Sequence, residues 1–588
     1  MADTVSTQKE TVIAFPYSGD YRIDVLLPSA TARWNNGSPL GTAVTLTYSF
    51  LNEAPSYATE GDKKGFTAFN DAQKVATREI LSLISQQFGV TFNEVADTAA
   101  NFGVLRFGNS NQGATSAGYA YQPDTSDTTT AGDMYINNQT AENLSNIVPG
   151  QDSWATLVHE IGHTLGLNHP GNYNAGQAAS TDPGNYLSMA EDSEAATIMS
   201  YVKMPQRQDS VFFNKFDLLA LKYLYGGLAY NSGNTTHTYT NASGRTMITI
   251  NDTGGTDTID LSAITTGAKV SLIAGAASSV GLLADLETAA INNLALAYDA
   301  LIENVIGTAK NDTVLGNGAA NNIRGGGGND SIDGGAGIDS ASFLGARTNF
   351  SVVKTATGFT VTDKNLTEGS DTLASVEVLR FSNMNINLTI GATAKTLPAE
   401  ALKSIVELYI AYFNRVPDAD GMAYWIGEFN KGMTLNQIST SFYGVAISPD
   451  FSALTGYSAN MSTTDFVKVI YKNVLGRNEV DQGGLDYWNA ALAKAPGTAG
   501  AETRDSLIKT IISAAHSYKG NAEFGYVADL LDNKFALGKY IAIEQGINYN
   551  TPAESYSNGV AIAAKVTPTD ITAAIALIGV QDAGFMMV

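Results

Sequence analysis

HEIGHTLGLNHPG, residues 159–171, holds three of the five histidines in a chain of 588 residues: His159, His163 and His169. The residues before it extend the same pattern. Trp154, Leu157, Ile161 and Leu165 recur at helical spacing and predict one apolar face, with Asp152 or Ser153 available to cap the start. Side chains four apart on a helix lie side by side, so His159 and His163 can reach one metal ion together. Glu160, next to the first ligand, can hold a water against that ion. Gly166 provides the exit for a third ligand: a glycine adopts φ > 0, ends the helix and turns the chain so that His169 reaches the same ion. Three neutral imidazoles leave Zn²⁺ one open position, as a catalytic rather than a structural site requires. Water bound there is acidified, and Glu160 can take its proton and pass it to a leaving amine. The expected chemistry is zinc-assisted hydrolysis of a peptide bond.

Bulk properties bound the setting. A chain of this length exceeds a single core, so several domains are expected. The formal net charge of −23 argues against nucleic acid or anionic lipid as partners. With no cysteine, disulfides and thiolate metal sites are excluded. No apolar run reaches the length of a membrane span, and the first 22 residues lack the basic and apolar regions of a conventional signal peptide. Upstream of the histidines, AVTLTYSFL and GVLRFGNS read as strands. Between them, residues 65–89 read as an amphipathic helix with Phe69, Ala72, Val75, Ile80 and Leu83 on its apolar face.

HExxHxxGxxH is the metzincin signature, and TIMSY, with Met199, resembles the turn that metzincins carry beneath the metal. Met199 taken alone would be a core methionine. The stretches HPGNYNAG (169–176), AEDS (190–193), IMSY and IDVLL…GTAVTLTYSF are similar to the serralysins, secreted repeats-in-toxin metalloproteases of bacteria. That resemblance implies that Tyr201, two residues after Met199, ligates zinc or steadies the oxyanion. It also implies that GDMYINN (132–138) is the edge strand that pairs with an extended substrate.

A second pattern is periodic. Gly307, Gly316, Gly325 and Gly334 recur every nine residues, matching the calcium β-roll nonapeptide G-G-x-G-x-D-x-U-x. Asp330 and Asp339 complete two repeats. The first repeat keeps Asp312 despite Thr308 and Lys310 in glycine positions, and the second has Asn321 instead of Asp. Turn carbonyls and these carboxylates suit a hard cation, Ca²⁺, with Asp312 and Asp330 on one side of the roll and Asn321 and Asp339 on the other. Val314, Ile323, Ile332 and Ala341 should fill its inside. By the same resemblance Asp252, Gly254, Gly255, Asp257 and Glu303 match positions where serralysins bind calcium between protease and roll.

From Pro398 the pattern turns helical. LYIAYFNRVPDADGMAYW (408–425) and IYKNVLGRNEVDQGGLDYW (470–488) are internal repeats about 62 residues apart, pairing Tyr409 with Tyr471, Arg415 with Arg477, Gly421 with Gly484 and Trp425 with Trp488. They resemble a helical bacterial domain of unknown function, itself similar to phycobilisome linkers. Core packing is the expected role of the aromatics, and helix capping that of the DADG and DQGG loops.

The expected fold is multi-domain α+β. A metzincin protease domain, a twisted mixed sheet plus long helices, spans 1–235, with a short propeptide left open at its start. A parallel β-roll binding calcium follows at 236–390, then a helical module at 398–535 and a tail at 536–588. The ending DAGFMMV resembles the uncleaved C-terminal signal of one-step ABC-type export. The expected protein is a secreted, monomeric, calcium-dependent zinc endopeptidase acting on proteins or peptides. The alternative is a cell-surface or S-layer-associated binding protein that the helical module anchors, its proteolysis confined to surface proteins.

Overall fold

The computed structural model describes residues 18–27, 33–114, 116–124, 129–173, 186–206, 208–580, 585 and 587. The proposed propeptide, the later part of HPGNYNAG and all of DAGFMMV except Phe585 and Met587 lie outside them. The chain forms two units, residues 1–321 and 322–588.

The first unit opens on a five-stranded sheet and the helices packed on it. Its strands are β1 (Val44–Phe50), β2 (Val90–Glu94), β3 (Leu105–Ser110), β4 (Gly118–Ala120) and β5 (Asp133–Asn137), in the order β2-β1-β3-β5-β4. All neighbours run parallel except β4, which is antiparallel to β5. This corrects the substrate-edge expectation. β5 is buried along its whole length between β3 and β4, and the edge on that side is Gly118–Ala120. The run MYI was apolar because it is interior, covered on both faces.

Helix α1 (Asp71–Gln87) forms where residues 65–89 predicted one, opened by a capping box between Asn70 and Gln73. Its buried face differs from the expectation. Ala76, Ile80, Leu81 and Ile84 point inward, whereas Val75 is 60% exposed and Ala72 also faces solvent. Two polar residues, Gln73 and Thr77, complete the inner face: Gln73 Nε2 donates to Asn109 Oδ1 and Asn143 O, and Thr77 Oγ1 donates to Gln73 O. Polar groups paired in this way can be buried, so counting apolar residues alone shifts the inferred face.

Helix α2 (Asp152–Thr164) carries the HEIGHT motif, and Trp154, Leu157, Ile161 and Leu165 are fully buried as their spacing predicts. Neither Asp152 nor Ser153 caps it. The cap position is Gln151, and Asp152 instead accepts a bond from Lys203 Nζ at 3.0 Å. The far end is tied down through its carbonyls: Thr164 O accepts from Trp34 Nε1, and Leu165 O from the hydroxyl of Tyr225 on helix α3 (Lys215–Tyr225). Beyond α3, the strands Thr236–Thr240, Thr258–Ala263 and Asn304–Ile306 pair in parallel, as do Lys269–Ser271 and Thr313–Leu315.

In the second unit, Asn322–Arg324, Ser340–Ser342 and Val378–Arg380 form a parallel ladder, and Ser331–Asp333 pairs in parallel with Ser370–Ala374. Across both units, three-residue strands recur every nine positions from Thr313 to Ser342. Each is centred on an expected inward residue, Val314, Ile323, Ile332 or Ala341, and all four are buried. Gly325 and Gly334 permit close approach: a Cβ on Gly325 would fall 2.1 Å from Asp330 Oδ2, and one on Gly334 2.1 Å from Ser375 O and 2.8 Å from Asp339 Oδ2.

Helices α4 (Ala399–Phe413), α5 (Ala419–Asn430), α6 (Thr463–Leu475), α7 (Gln482–Ala493), α8 (Arg504–Ser517), α9 (Gly525–Lys539) and α10 (Pro552–Ala563) follow. The two sequence repeats occupy α4–α5 and α6–α7. Asp418 and Asp481 each accept from the backbone N–H of the repeat glycine, Gly421 or Gly484, at 2.8 Å. The DADG and DQGG loops are therefore helix caps. The repeat glycines let α5 and α7 approach the paired tyrosines, since a Cβ would lie 2.4 Å from Tyr409 Oη and 3.1 Å from Tyr471 Oη. Phe585 and Met587 are buried, and Met587 N–H donates to Glu544 O at 3.2 Å.

Candidate metal centre and its cleft

Helix α2 places His159 and His163 one turn apart, and Gly166 at φ +101° ends it. Leu167 N–H then donates back to Gly162 O at 3.0 Å, closing the turn that brings His169 round. The three Nε2 atoms converge: His169 Nε2 lies 3.2 Å from that of His159 and 3.0 Å from that of His163. Among the described residues, this is the only place where three His, Cys, Asp or Glu groups bring ligand atoms within 4.8 Å of one another.

The opposite ring atoms explain the orientation. His159 Nδ1 lies 2.8 Å from Ile198 O, and His163 Nδ1 lies 2.8 Å from Leu167 O. A carbonyl only accepts, so both Nδ1 atoms carry the proton and both Nε2 lone pairs point to the common centre. Burial, then the neighbouring imidazole, pushes His159 down to about 3, and burial holds His163 well below the ordinary histidine range. Neutral, pre-aimed imidazoles in a cysteine-free cluster fit Zn²⁺.

Glu160 is buried, and burial pushes its carboxyl up to about 8. Its Oε2 has no hydrogen-bond partner among the described residues. The edge strand β4 runs directly over it, and a Cβ on Gly118 would sit 3.0 Å from Glu160 Cγ. Strand, helix and the segment 194–203 enclose a cleft of about 260 Å³ lined by Gly118, His159, Glu160, Ile198, Tyr201 and Lys203, among others.

Met199 is fully buried beneath α2, its Sδ 2.9 Å from where a Cβ on Gly162 would stand, so the absence of a side chain there permits the contact. The ring of Tyr201 lies 4.5 Å from His169 and 5.9 Å from His159, centroid to centroid, with 43% of the residue exposed.

Two supports had no assigned role in the sequence. Asp217, at the start of α3, accepts from Ile198 N–H at 2.8 Å and Asn214 N–H at 2.9 Å and also from Thr197 Oγ1, pinning the segment whose Ile198 carbonyl orients His159. Asp192, within AEDS, accepts from Ser200 Oγ at 2.6 Å and Tyr173 Oη at 2.9 Å, and the Tyr173 ring stacks on Tyr201 at 4.9 Å. The N-cap pattern N-x-x-D at 214–217 was a local signal for Asp217, but its reach to residues 197 and 198 was not.

The expected calcium residues are brought together in part. Asp252 and Asp257 are completely buried, and Gly254 and Gly255 between them take φ +149° and +132°. Glu303 Oε2 accepts from Asp257 N–H at 2.7 Å, while Asp257 Oδ2 has no hydrogen-bond partner among the described residues. Asp252 Oδ2 lies 3.0 Å from His237 Nε2, a pairing the sequence did not announce. Asp312 accepts from Thr308 N–H at 2.6 Å and Ala268 N–H at 2.7 Å. Asp330 and Asp339 are buried, their backbone N–H groups donating to Asp371 and Glu377.

A two-histidine helix, a glycine turn delivering a third, and a methionine turn underneath form the arrangement found in metzincin-type metallopeptidases. Residues 41–212 match the model of metallo-peptidase family M12, residues 222–351 that of the peptidase M10 serralysin C terminal, and residues 442–519 a domain of unknown function, DUF4214. Relatives include the metalloprotease AprA of Pseudomonas entomophila, 32% identical over half of this chain and 63% of that protein. Serralysin G of Dickeya chrysanthemi is 32% identical over 48% of this chain and 61% of that protein, and the serralysin of Proteus mirabilis 31% over the same shares. The chain spans about three fifths of the length of these relatives. Along residues 41–351 the chain is similar to the serralysin-type metzincins.

Proposed function

We propose that this protein is a secreted zinc metalloendopeptidase whose repeat region folds on calcium. The observation that carries the catalytic reading is the convergence of three Nε2 atoms beside a buried carboxylate oxygen that has no hydrogen-bond partner among the described residues, beneath an edge strand. Zinc, when bound by His159, His163 and His169, would supply Lewis acidity at the scissile carbonyl. An extended peptide would add to the free edge of β4 and so lie across Glu160. Glu160, as general base, takes a proton from the attacking water and passes it to the leaving amine. Tyr201 donates a hydrogen bond to the developing oxyanion from its place over His169. His159 and His163 keep their aim through Ile198 O and Leu167 O.

Calcium is assigned to the turns that carry Asp252, Gly254, Gly255, Asp257 and Glu303, and to the β-roll aspartates Asp312, Asp330 and Asp339. The buried Asp257 Oδ2, without a hydrogen-bond partner among the described residues, and the nine-residue strand period support this. Asp-lined turns repel one another without the cation, so the roll is expected to be loose where calcium is scarce and folded outside the cell. Export by an ABC-type transporter and the division at 235, 390 and 535 belong to the same proposal.

Casein hydrolysis tests the centre. Glu160→Ala should lower activity by a factor of about 10² or more while zinc content stays at one per chain. A chelator should abolish activity and added zinc restore it. Equal rates for the wild type and Glu160→Ala would overturn the assignment.

A further inference from the structure

The two copies of the helical repeat share a sequence pattern but differ in what surrounds their arginine. In the first copy the arginine is spent. Arg415 Nη1 donates to Asp418 Oδ2 at 2.9 Å and to Val416 O at 3.3 Å, and its guanidinium lies 4.8 Å over the ring of Tyr409. Helix α10 closes over it: Gly559 O accepts from Val416 N–H, and a Cβ on Gly559 would stand 3.2 Å from Arg415 Cβ. Trp425 packs on Phe442 at 4.8 Å.

In the second copy the same position is open. Arg477 Nη2 stands 3.9 Å from Asp481 Oδ2, beyond hydrogen-bond reach, and the guanidinium makes no hydrogen bond among the described residues. It lies between the rings of Tyr471 and Phe524, 5.8 and 5.9 Å from their centroids. It borders a cavity of about 430 Å³, within the roughly 300–1,000 Å³ usual for small-molecule sites. Buried Leu475, Ile511 and Val527 give it an apolar floor, and aromatic rings form the walls: buried Tyr471 and Trp488, and Tyr487 and Tyr518, which are 67% and 45% exposed.

These walls specify a ligand. Arg477 offers a planar fork of donors with nothing bonded to it, the geometry that pairs with a carboxylate. Tyr471 Oη already accepts from Trp488 Nε1 at 2.8 Å, so its own proton is left to donate. Asp481 uses Oδ1 to cap α7 and presents an exposed carboxylate that accepts from hydroxyls. Tyr487 and Tyr518 offer exposed rings to an apolar ring face. A molecule with a carboxylate, several hydroxyls and a ring with one apolar face answers all of these at once. We propose that the cavity between α6, α7, α8 and α9 binds a uronic-acid sugar, so that the helical module attaches this protein to acidic polysaccharide.

The assignment does not depend on the metal centre, and peptidase activity serves as the control for folding. Calorimetric titration of the full chain at fixed calcium would use short glucuronate oligomers, neutral glucose oligomers of equal length, and benzoate. Glucuronate should bind, and glucose oligomers at least about tenfold more weakly, as expected for loss of a charge-assisted hydrogen-bond pair. Arg477→Gln and Tyr487→Ala should each weaken glucuronate binding about tenfold or more without changing casein hydrolysis or the melting temperature. Lys431→Gln, at an exposed ion pair elsewhere in the module, should leave binding unchanged. Three results would overturn the proposal: no glucuronate binding at millimolar concentration, equal affinity in Arg477→Gln, or benzoate competing as well as glucuronate, which would make the site one for aromatic acids.

Discussion

Gly166→Ala isolates the turn that delivers the third histidine. At φ +101° an alanine would lie beyond the small left-handed region open to L-residues, near φ +57°. Holding it there costs about 1–3 kcal/mol. The turn is held on both sides, because Gly166 N–H donates to His163 O and Leu167 N–H to Gly162 O, both at 3.0 Å. Leu165 and Leu167 are fully buried, and Leu167 O also accepts from Gln122 Nε2 at 2.7 Å. Relaxation is therefore directed forward along the chain, to His169. The strain divides between two readouts: apo-protein stability, if the turn keeps its shape, and zinc affinity, if His169 moves. If all of it falls on zinc, affinity drops by a factor of about 5 to 150. Urea melts of the apo protein measure the first share and competition with a chromophoric chelator the second. Unchanged values in both would refute the claim that this conformation is what brings His169 to the centre.

Tyr201→Phe keeps the ring against His169 and removes only the hydroxyl, so kcat should fall by about 10- to 100-fold with zinc content and melting temperature unchanged; stopped assays on a peptide substrate would show it. Burial raises Asp217 from its ordinary value near 3.8 to about 7. A group raised in the folded state stabilises most below its unfolded pKa and loses that contribution as pH rises through the folded one. The stability difference between the wild type and Asp217→Asn should therefore shrink by a few kcal/mol between pH 4 and pH 8, and parallel urea-stability curves would contradict it. In the repeats, Gly334→Ala would set a Cβ 2.1 Å from Ser375 O and cost about 1–3 kcal/mol or more, whereas Gly318→Ala meets nothing within 4 Å and should stay within about 0.5 kcal/mol. Calcium-saturated melts of the two variants make the comparison.

Local chemistry was legible in the sequence wherever a property repeats at the period of its own element. Two histidines four apart, a glycine three beyond them and a third histidine three further on determine a metal cluster, because helix geometry and one φ > 0 residue suffice to place all three. Glycine and aspartate at a period of nine determine where the strands of residues 313–342 fall, each with one inward apolar residue. Repeat glycines and aspartates at 418–421 and 481–484 determine helix caps, a matter of four consecutive positions.

What needs two distant segments to meet was decided only by the tertiary structure. Resemblance to metzincins implied that β5 is an edge strand, yet β4 pairs outside it, and strand order depends on partners rather than on the strand's own residues. The inner face of α1 includes Gln73 because Asn109 and Asn143 lie opposite to bond it. Asp217 reaches back to the segment that aims His159 through contacts about twenty residues away in sequence. Arg415 and Arg477 occupy equivalent places in two copies of one pattern, and α10 covers the first while the second borders an open cavity. Spacing sets which side chains an element presents; long-range packing sets what they face.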